Sequence, residues 1–192
     1  MMINSCYMIG MLDNDISKRY MEITRPNAEE MLDCDIRVFD AIQPNTITDE
    51  QHNKFAAIKS PTFGTMNSKP FTDTEKAVWL SHLTLWRKIV EEKRLDRSAW
   101  VLEHDALISK PPTLFPGCSS IFANDVGQAL AYTMRPHILK RLIAEWDNDD
   151  QMDMQIDTFM SSWFRRHHQS KKAACLFFVD HLTEFGTTIR HL

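Results

Sequence analysis

Two periods of apolar residues alternate along this chain, and the switches between them outline a series of strands and helices. Cys6 to Leu12 is a short apolar run closed by Asp13-Asn14-Asp15, the pattern of a buried strand followed by a helix start. Residues 15–32 carry helical spacing, with a break or kink expected at Pro26. Ile36 to Ile42 alternates apolar and polar positions and reads as a second strand. Residues 43–70 hold three prolines and many polar side chains, so a long loop is expected there, a functional lid or mobile segment. Thr72-x-x-Glu75 is a capping box, in which hydroxyl and carboxylate each satisfy a backbone donor at a helix start. Trp79, Leu83, Trp86 and Val90 then recur on one helical face. Ala99 to Leu102 is a core strand that ends abruptly in Glu103-His104-Asp105. Further elements are a strand over 128–134, a helix from Pro136 to Trp146, a helix from about Met152 to Phe164 and a strand from about Cys175 to Val179. Strands alternating with helices predict an α/β sandwich around a mainly parallel central sheet.

Composition narrows the class. At 192 residues, 43% hydrophobic and 25% charged, the chain is expected to be a single domain, 1–192, with an ordinary core. Its apolar runs are too short for a membrane span, so no membrane insertion is expected. Met1 to Leu12 has no basic leader and no small-residue cleavage site; it reads as a strand and not as a signal peptide. Cys6, Cys34, Cys118 and Cys175 form no C-x-x-C pair, which predicts reduced thiols in a cytoplasm (the host's, for a viral protein). A net charge of −4 argues against bulk electrostatic binding to nucleic acid. With five glycines there is no G-x-G-x-x-G and no P-loop, so the usual phosphate cradles are absent.

The acidic strand end carries the most specific chemistry. Residues two apart in a strand share a face, so Glu103 and Asp105 can converge on one point. The carboxyl ends of strands are where open α/β sheets bind ligands. Two adjacent carboxylates are costly to desolvate unless a cation lies between them, and a hard ion, Mn or Mg, suits them. Taken alone, the triplet reads first as a solvated strand-to-loop junction, because such triplets are common.

Its neighbours add a resemblance. Thr72-Asp73-Thr74-Glu75, then Ser81-His82-Leu83-Thr84-Leu85-Trp86, then Leu102-Glu103-His104-Asp105 match in order and spacing a block seen in family-25 glycosyltransferases. That family includes lipooligosaccharide galactosyltransferases and collagen galactosyltransferase-like proteins. The specific similarity covers about residues 71–107; weaker similarity includes Arg37 to Ala41, Ala131-Tyr132, Met152-Asp153 and Gly186 to Ile189. The family has E-D-D where this chain has Glu103-His104-Asp105, and this chain is shorter than typical members.

The resemblance implies a single-domain, GT-A-like nucleotide-sugar fold and a metal-dependent, inverting glycosyltransferase. It implies a nucleotide-sugar donor met by Ser81, His82, Glu103 and Asp105, with the last two holding the divalent metal. Asp153, matched to the family's aspartate, is expected to be the base that deprotonates the acceptor hydroxyl. Asp153 and Asp157, four apart at a helix start, are expected on one helical side. Ser81 also reads as a local hydrogen-bonding residue and His82 as a core histidine. His104 reads as a polar rim residue or a third ligand, and Trp163 as core or a stacking platform. Arg165, Arg166, His167, His168, Lys171 and Lys172 form the dense basic run, either a solvated helix end or a contact for diphosphate or polyanion. The acceptor is expected to be a surface glycan or, if that run grips phosphates, a hydroxymethylated pyrimidine in phage DNA. A non-catalytic sugar-binding relative is the second class of function.

Overall fold

The computed structural model describes residues 5–60, 67–92, 98–111, 120–122, 129–167 and 179–181. Its centre is a five-stranded sheet in the order β2 (Ile36–Asp40), β1 (Ser5–Gly10), β5 (Ala99–Glu103), β8 (Ala131–Met134), β7 (Ser120–Phe122). β1 pairs in parallel with both β2 and β5, while β8 is antiparallel to β5 and to β7. All strands but β8 therefore point one way, and the expected α/β sandwich with a mainly parallel sheet is the fold observed.

Two apolar cores lie on the two faces of the sheet, and strand alternation explains the division. Tyr7 and Ile9 of β1, with Ala99 and Val101 of β5, face the core under α3 (Asp73–Glu91), α4 (Pro136–Asn148) and α5 (Ile156–Arg166). Cys6, Met8, Trp100 and Leu102 face the opposite core, under α1 (Asp15–Leu32) and the short strand β6 (Ala106–Ile108). On the first face Trp79 stacks within 4.4–5.9 Å of Trp86, Trp146 and Phe159, all buried, so the aromatic residues of α3 are core. Fully burying one large apolar side chain contributes roughly 1.5–3 kcal/mol, so this cluster anchors α3 firmly.

Helix α3 begins as its sequence requires. Thr72 accepts from the Glu75 backbone amide and Glu75 accepts from that of Thr72, completing the capping box. Helix α1 runs unbroken through Pro26, contrary to the expected break. Tyr20, Met21 and Thr24 before the proline, with Ala28 and Leu32 after it, are all buried against the sheet, so packing holds both halves together. Gly10 leaves room for side chains of α1, since a Cβ there would meet the thioether of Met21 at 2.5 Å and Ser17 Oγ at 3.4 Å.

Two further expectations are corrected. The stretch 43–70 is not one long loop: its described residues hold a 3-10 turn (Pro44–Thr46), α2 (Asp49–Asn53) and a ribbon of β3 (Ile58–Ser60) with β4 (Asn67–Lys69). Thr48 and Gln51 form a second capping box that starts α2. Backbone bonds Ala56→Met152 (2.8 Å) and Met152→Lys54 (2.7 Å) tie the segment to the chain before α5. Cys6 and Cys34 form a disulfide, with Cα atoms 6.8 Å apart, so this pair is not reduced as expected. The reason is tertiary: Asp33 caps α1 in the left-handed conformation, and the chain turns back so that Ile36 pairs with Cys6. Cys118 and Cys175 lie outside the described residues. The strand expected at 175–179 meets the described residues only at its end, where β9 (Val179–His181) pairs with β6.

Candidate active site

The chain crosses from β2 to the other side of β1 when it forms β5, so the sheet reverses its winding direction between β1 and β5. Such a switch leaves a crevice at the carboxyl ends of the two strands. A pocket is found there. Ile9 and Met11 line it from the end of β1, Ala41 and Ile42 from the end of β2, Ala77, Ser81 and His82 from α3, and Glu103 to Asp105 from the end of β5.

Alternation along β5 sorts the acidic triplet. Glu103 continues the face of Ala99 and Val101 and meets α3, where His82 Nε2 lies 3.2 Å from its Oε1. His104 falls on the α1 side: its ring is 5.5 Å from that of Tyr20, and Thr24 Oγ1 donates to its carbonyl at 2.6 Å. At 9% exposure His104 is buried and not the expected rim residue. The strand ends at Glu103, so Asp105 belongs to the following turn and the shared-strand-face argument does not apply to it. Asp105 nevertheless lines the same pocket and is 7% exposed. Among the described residues no group of three or more His, Cys, Asp or Glu side chains forms a metal cage.

His82 is held from both ends. Its Nδ1 lies 2.7 Å from Tyr132 Oη, which also accepts from Trp86 Nε1 at 2.7 Å. All three residues are essentially inaccessible to solvent. Burial pushes the Tyr132 phenol well above its ordinary pKa, so it keeps its proton. Ser81 is likewise engaged locally, donating to the Ala77 carbonyl and accepting from the Ile42 amide.

Asp157 comes up to this cluster, where the charges of Glu103 and His82 act on it. Helix α5 starts at Ile156, later than expected, so Asp153 precedes it and the two aspartates do not share a helical side. Asp157 accepts from the Ala129 amide, and its carboxyl is held above the ordinary carboxylate range by burial and then by the charge of Glu103; the Ala129 bond and His82 oppose the rise. With Glu75, Val78, Gln155 and Ile156 it lines a second recess of about 140 Å³. Val78 borders both pockets. Asp153 is not among the residues lining either. The sequence carried a signal for Asp157: it sits between Ile156 and Phe159-Met160, an acid embedded in an apolar helical stripe.

Of the basic run, the structure describes Arg165, Arg166 and His167. Arg166 pairs with Glu145, and neither it nor Arg165 lines the crevice. His168, Lys171 and Lys172 lie outside the described residues. Trp163 is 1% exposed, its ring covered by His167 at 4.2 Å and Arg141 at 5.2 Å, so it is a core residue rather than a platform.

The sequence profile of glycosyltransferase family 25 (LPS biosynthesis protein) matches residues 5–172. The chain belongs to glycosyltransferase family 25. The family-25 match takes in every crevice residue described above. No curated protein matches the chain. In structure it is similar to a glycosyltransferase involved in glycosylating the major capsid of PBCV-1 (10% identity, 85% of this chain and 77% of that one, TM-score 0.47). It is also similar to the galactosyltransferase LgtC in complex with donor and acceptor sugar analogs (15%, 83% and 70%, TM-score 0.44) and to mouse xyloside xylosyltransferase 1 (10%, 88% and 83%, TM-score 0.43). Among the described residues no helix is long and apolar enough to cross a membrane.

Proposed function

We propose that this chain transfers a sugar from a nucleotide-sugar donor to a hydroxyl group of a glycan, with inversion at the anomeric carbon. One observation carries the reading: Ser81, His82, Glu103 and Asp105 line a single crevice at the switch point between β1 and β5. The donor's diphosphate would face the acids at the carboxyl end of β5, where Glu103 and Asp105 line the crevice.

A diphosphate against two carboxylates needs a cation between them. The donor set fits Mn or Mg: two acidic oxygen ligands on one wall, with phosphate oxygens to complete the shell. Glu103 and Asp105 would hold the ion, which when bound supplies Lewis-acid stabilisation of the departing diphosphate. We assign the general base to Asp157 in place of Asp153. Its carboxylate takes the proton as the acceptor oxygen bonds to the anomeric carbon and the bond to the diphosphate breaks. Burial beside Glu103 raises its basicity, which favours this role. The recess it lines with Glu75 and Gln155 offers hydrogen-bond acceptors and an amide suited to sugar hydroxyls.

The test is a panel of nucleotide sugars with manganese, with and without EDTA, read as released nucleoside diphosphate and as labelled product on oligosaccharides and on hydroxymethylated DNA. Chelator-sensitive transfer to an oligosaccharide is expected. Label on DNA alone would replace the glycan by DNA as acceptor. Donor binding with no released diphosphate under any condition would make the chain a non-catalytic relative.

A further inference from the structure

The hydrogen-bond chain behind Glu103 has a direction. Trp86 Nε1 can only donate, so Tyr132 Oη accepts from it at 2.7 Å. The buried phenol keeps its own proton, and His82 Nδ1 lies 2.7 Å away. With the phenol donating there, Nδ1 is the acceptor and the ring N–H lies on Nε2. That nitrogen faces Glu103 Oε1 at 3.2 Å. Each donor then has an acceptor in a place where a lost partner costs about 1–3 kcal/mol. The opposite tautomer would set an imidazole N–H against a phenol oxygen that already accepts, and a bare nitrogen against a carboxylate.

We propose that Trp86 and Tyr132 lock His82 in its Nε2–H tautomer, and that His82 is thereby a positioning residue that fixes the Glu103 carboxylate at the crevice wall. One Glu103 oxygen is held by His82, and the second is left for the donor complex. The four residues come from three elements, His82 and Trp86 from α3, Glu103 from β5 and Tyr132 from β8, so the chain also fixes the carboxyl end of β5 against α3. The groups facing His82 are Tyr132 of β8, Glu103 of β5 and, by its charge, Asp157 of α5. The role in donor binding rests on the transferase reading above; the tautomer does not.

Nitrogen-15 NMR of the full chain labelled at histidine separates the two. Without any donor, His82 is expected as the neutral Nε2–H tautomer, with an Nε2 proton resonance that moves in Glu103→Gln. In Tyr132→Phe the tautomers should mix. Calorimetry with UDP-galactose and manganese as the probe, alongside the wider donor panel, is expected to show donor affinity weakened about 10–100-fold in Tyr132→Phe, the usual cost of losing such an outer partner. His82→Gln, which keeps a donor for Glu103, should retain more affinity than His82→Leu, and circular-dichroism melts identify any variant that fails to fold. A wild-type His82 found as the Nδ1–H tautomer or as imidazolium at neutral pH overturns the proposal, as does equal donor affinity in folded His82→Gln and His82→Leu. The stated tautomer in a wild-type protein that binds no nucleotide sugar upholds the lock, overturns the positioning of Glu103 for a donor and removes the transferase reading.

Discussion

Ser81 Oγ accepts a hydrogen bond from the Ile42 amide at 2.9 Å while donating its proton to the Ala77 carbonyl at 2.7 Å, and so clamps α3 to the chain leaving β2. The serine of the S-H-x-x-x-W motif is thus occupied with backbone on both sides. Ser81→Ala leaves the half-buried Ile42 amide without this acceptor. A loss of about 1 kcal/mol is expected, at the low end for an unsatisfied group because water can reach it. Chemical denaturation should register that loss, with donor affinity changed by less than about threefold. A folded protein that has lost donor binding altogether would make Ser81 a direct ligand.

Asp157→Asn separates stability from activity. The wild-type carboxyl has a folded pKa above its unfolded value, chiefly through burial. The folded state therefore binds the extra proton between those two values. This group's contribution makes stability fall as pH rises through that window, leaving the penalty fully present above it. The asparagine variant should melt higher than wild type above that window, and the gain should vanish as pH falls to the ordinary carboxylate range. Transfer should drop about 10²–10⁴-fold, as expected for a lost general base. Thermal melts across pH, paired with transfer rates, check both halves; unchanged transfer would return the base role to another residue, Asp153 first.

Asp105→Asn tests the acidic wall. The substitution keeps the side chain's size in a nearly buried position and removes one anionic oxygen. Manganese-dependent donor affinity should fall at least tenfold, and the protein should lose its response to EDTA. Calorimetry with and without chelator decides the point. Wild-type affinity that neither EDTA nor the substitution alters would remove the metal from the mechanism.

Thr72→Ala removes one half of the capping box at α3 while Glu75 keeps its bonds to Lys69 and Gln155. A destabilisation of about 1 kcal/mol is expected, with donor binding retained. A stable but inactive variant would move Thr72 into the site.

Replacing Arg165 and Arg166 by glutamine should cost at most about 1 kcal/mol, since Arg166 meets Glu145 at an exposed surface. Transfer to a neutral oligosaccharide should be unchanged. A transfer rate that falls steeply with salt in the wild type and loses that slope in the variant would indicate a polyanionic acceptor instead.

Local chemistry decided much of this protein in advance. The capping box at Thr72, the apolar stripe of α3 and the run Ala99 to Leu102 each depend on neighbours within a turn or a strand, so their sequence is enough to form them. The S-H-x-x-x-W spacing was equally legible, because the helix period turns spacing into direction; the E-x-D spacing was not, because the strand ends at Glu103. What the sequence could not determine were relations between distant segments. Pro26 stays within α1 because residues on both sides of it bury against the sheet. Cys6 meets Cys34 because a left-handed cap returns the chain beside β1. Glu103 meets His82, and His104 meets Tyr20, because α3 and α1 pack on opposite faces of β5. Asp157 lies inside α5 and Asp153 before it because α5 starts at Ile156, where Ile156, Phe159 and Met160 can bury together. A carboxylate's surroundings are set by which faces the cores cover, and only the packed chain defines those faces.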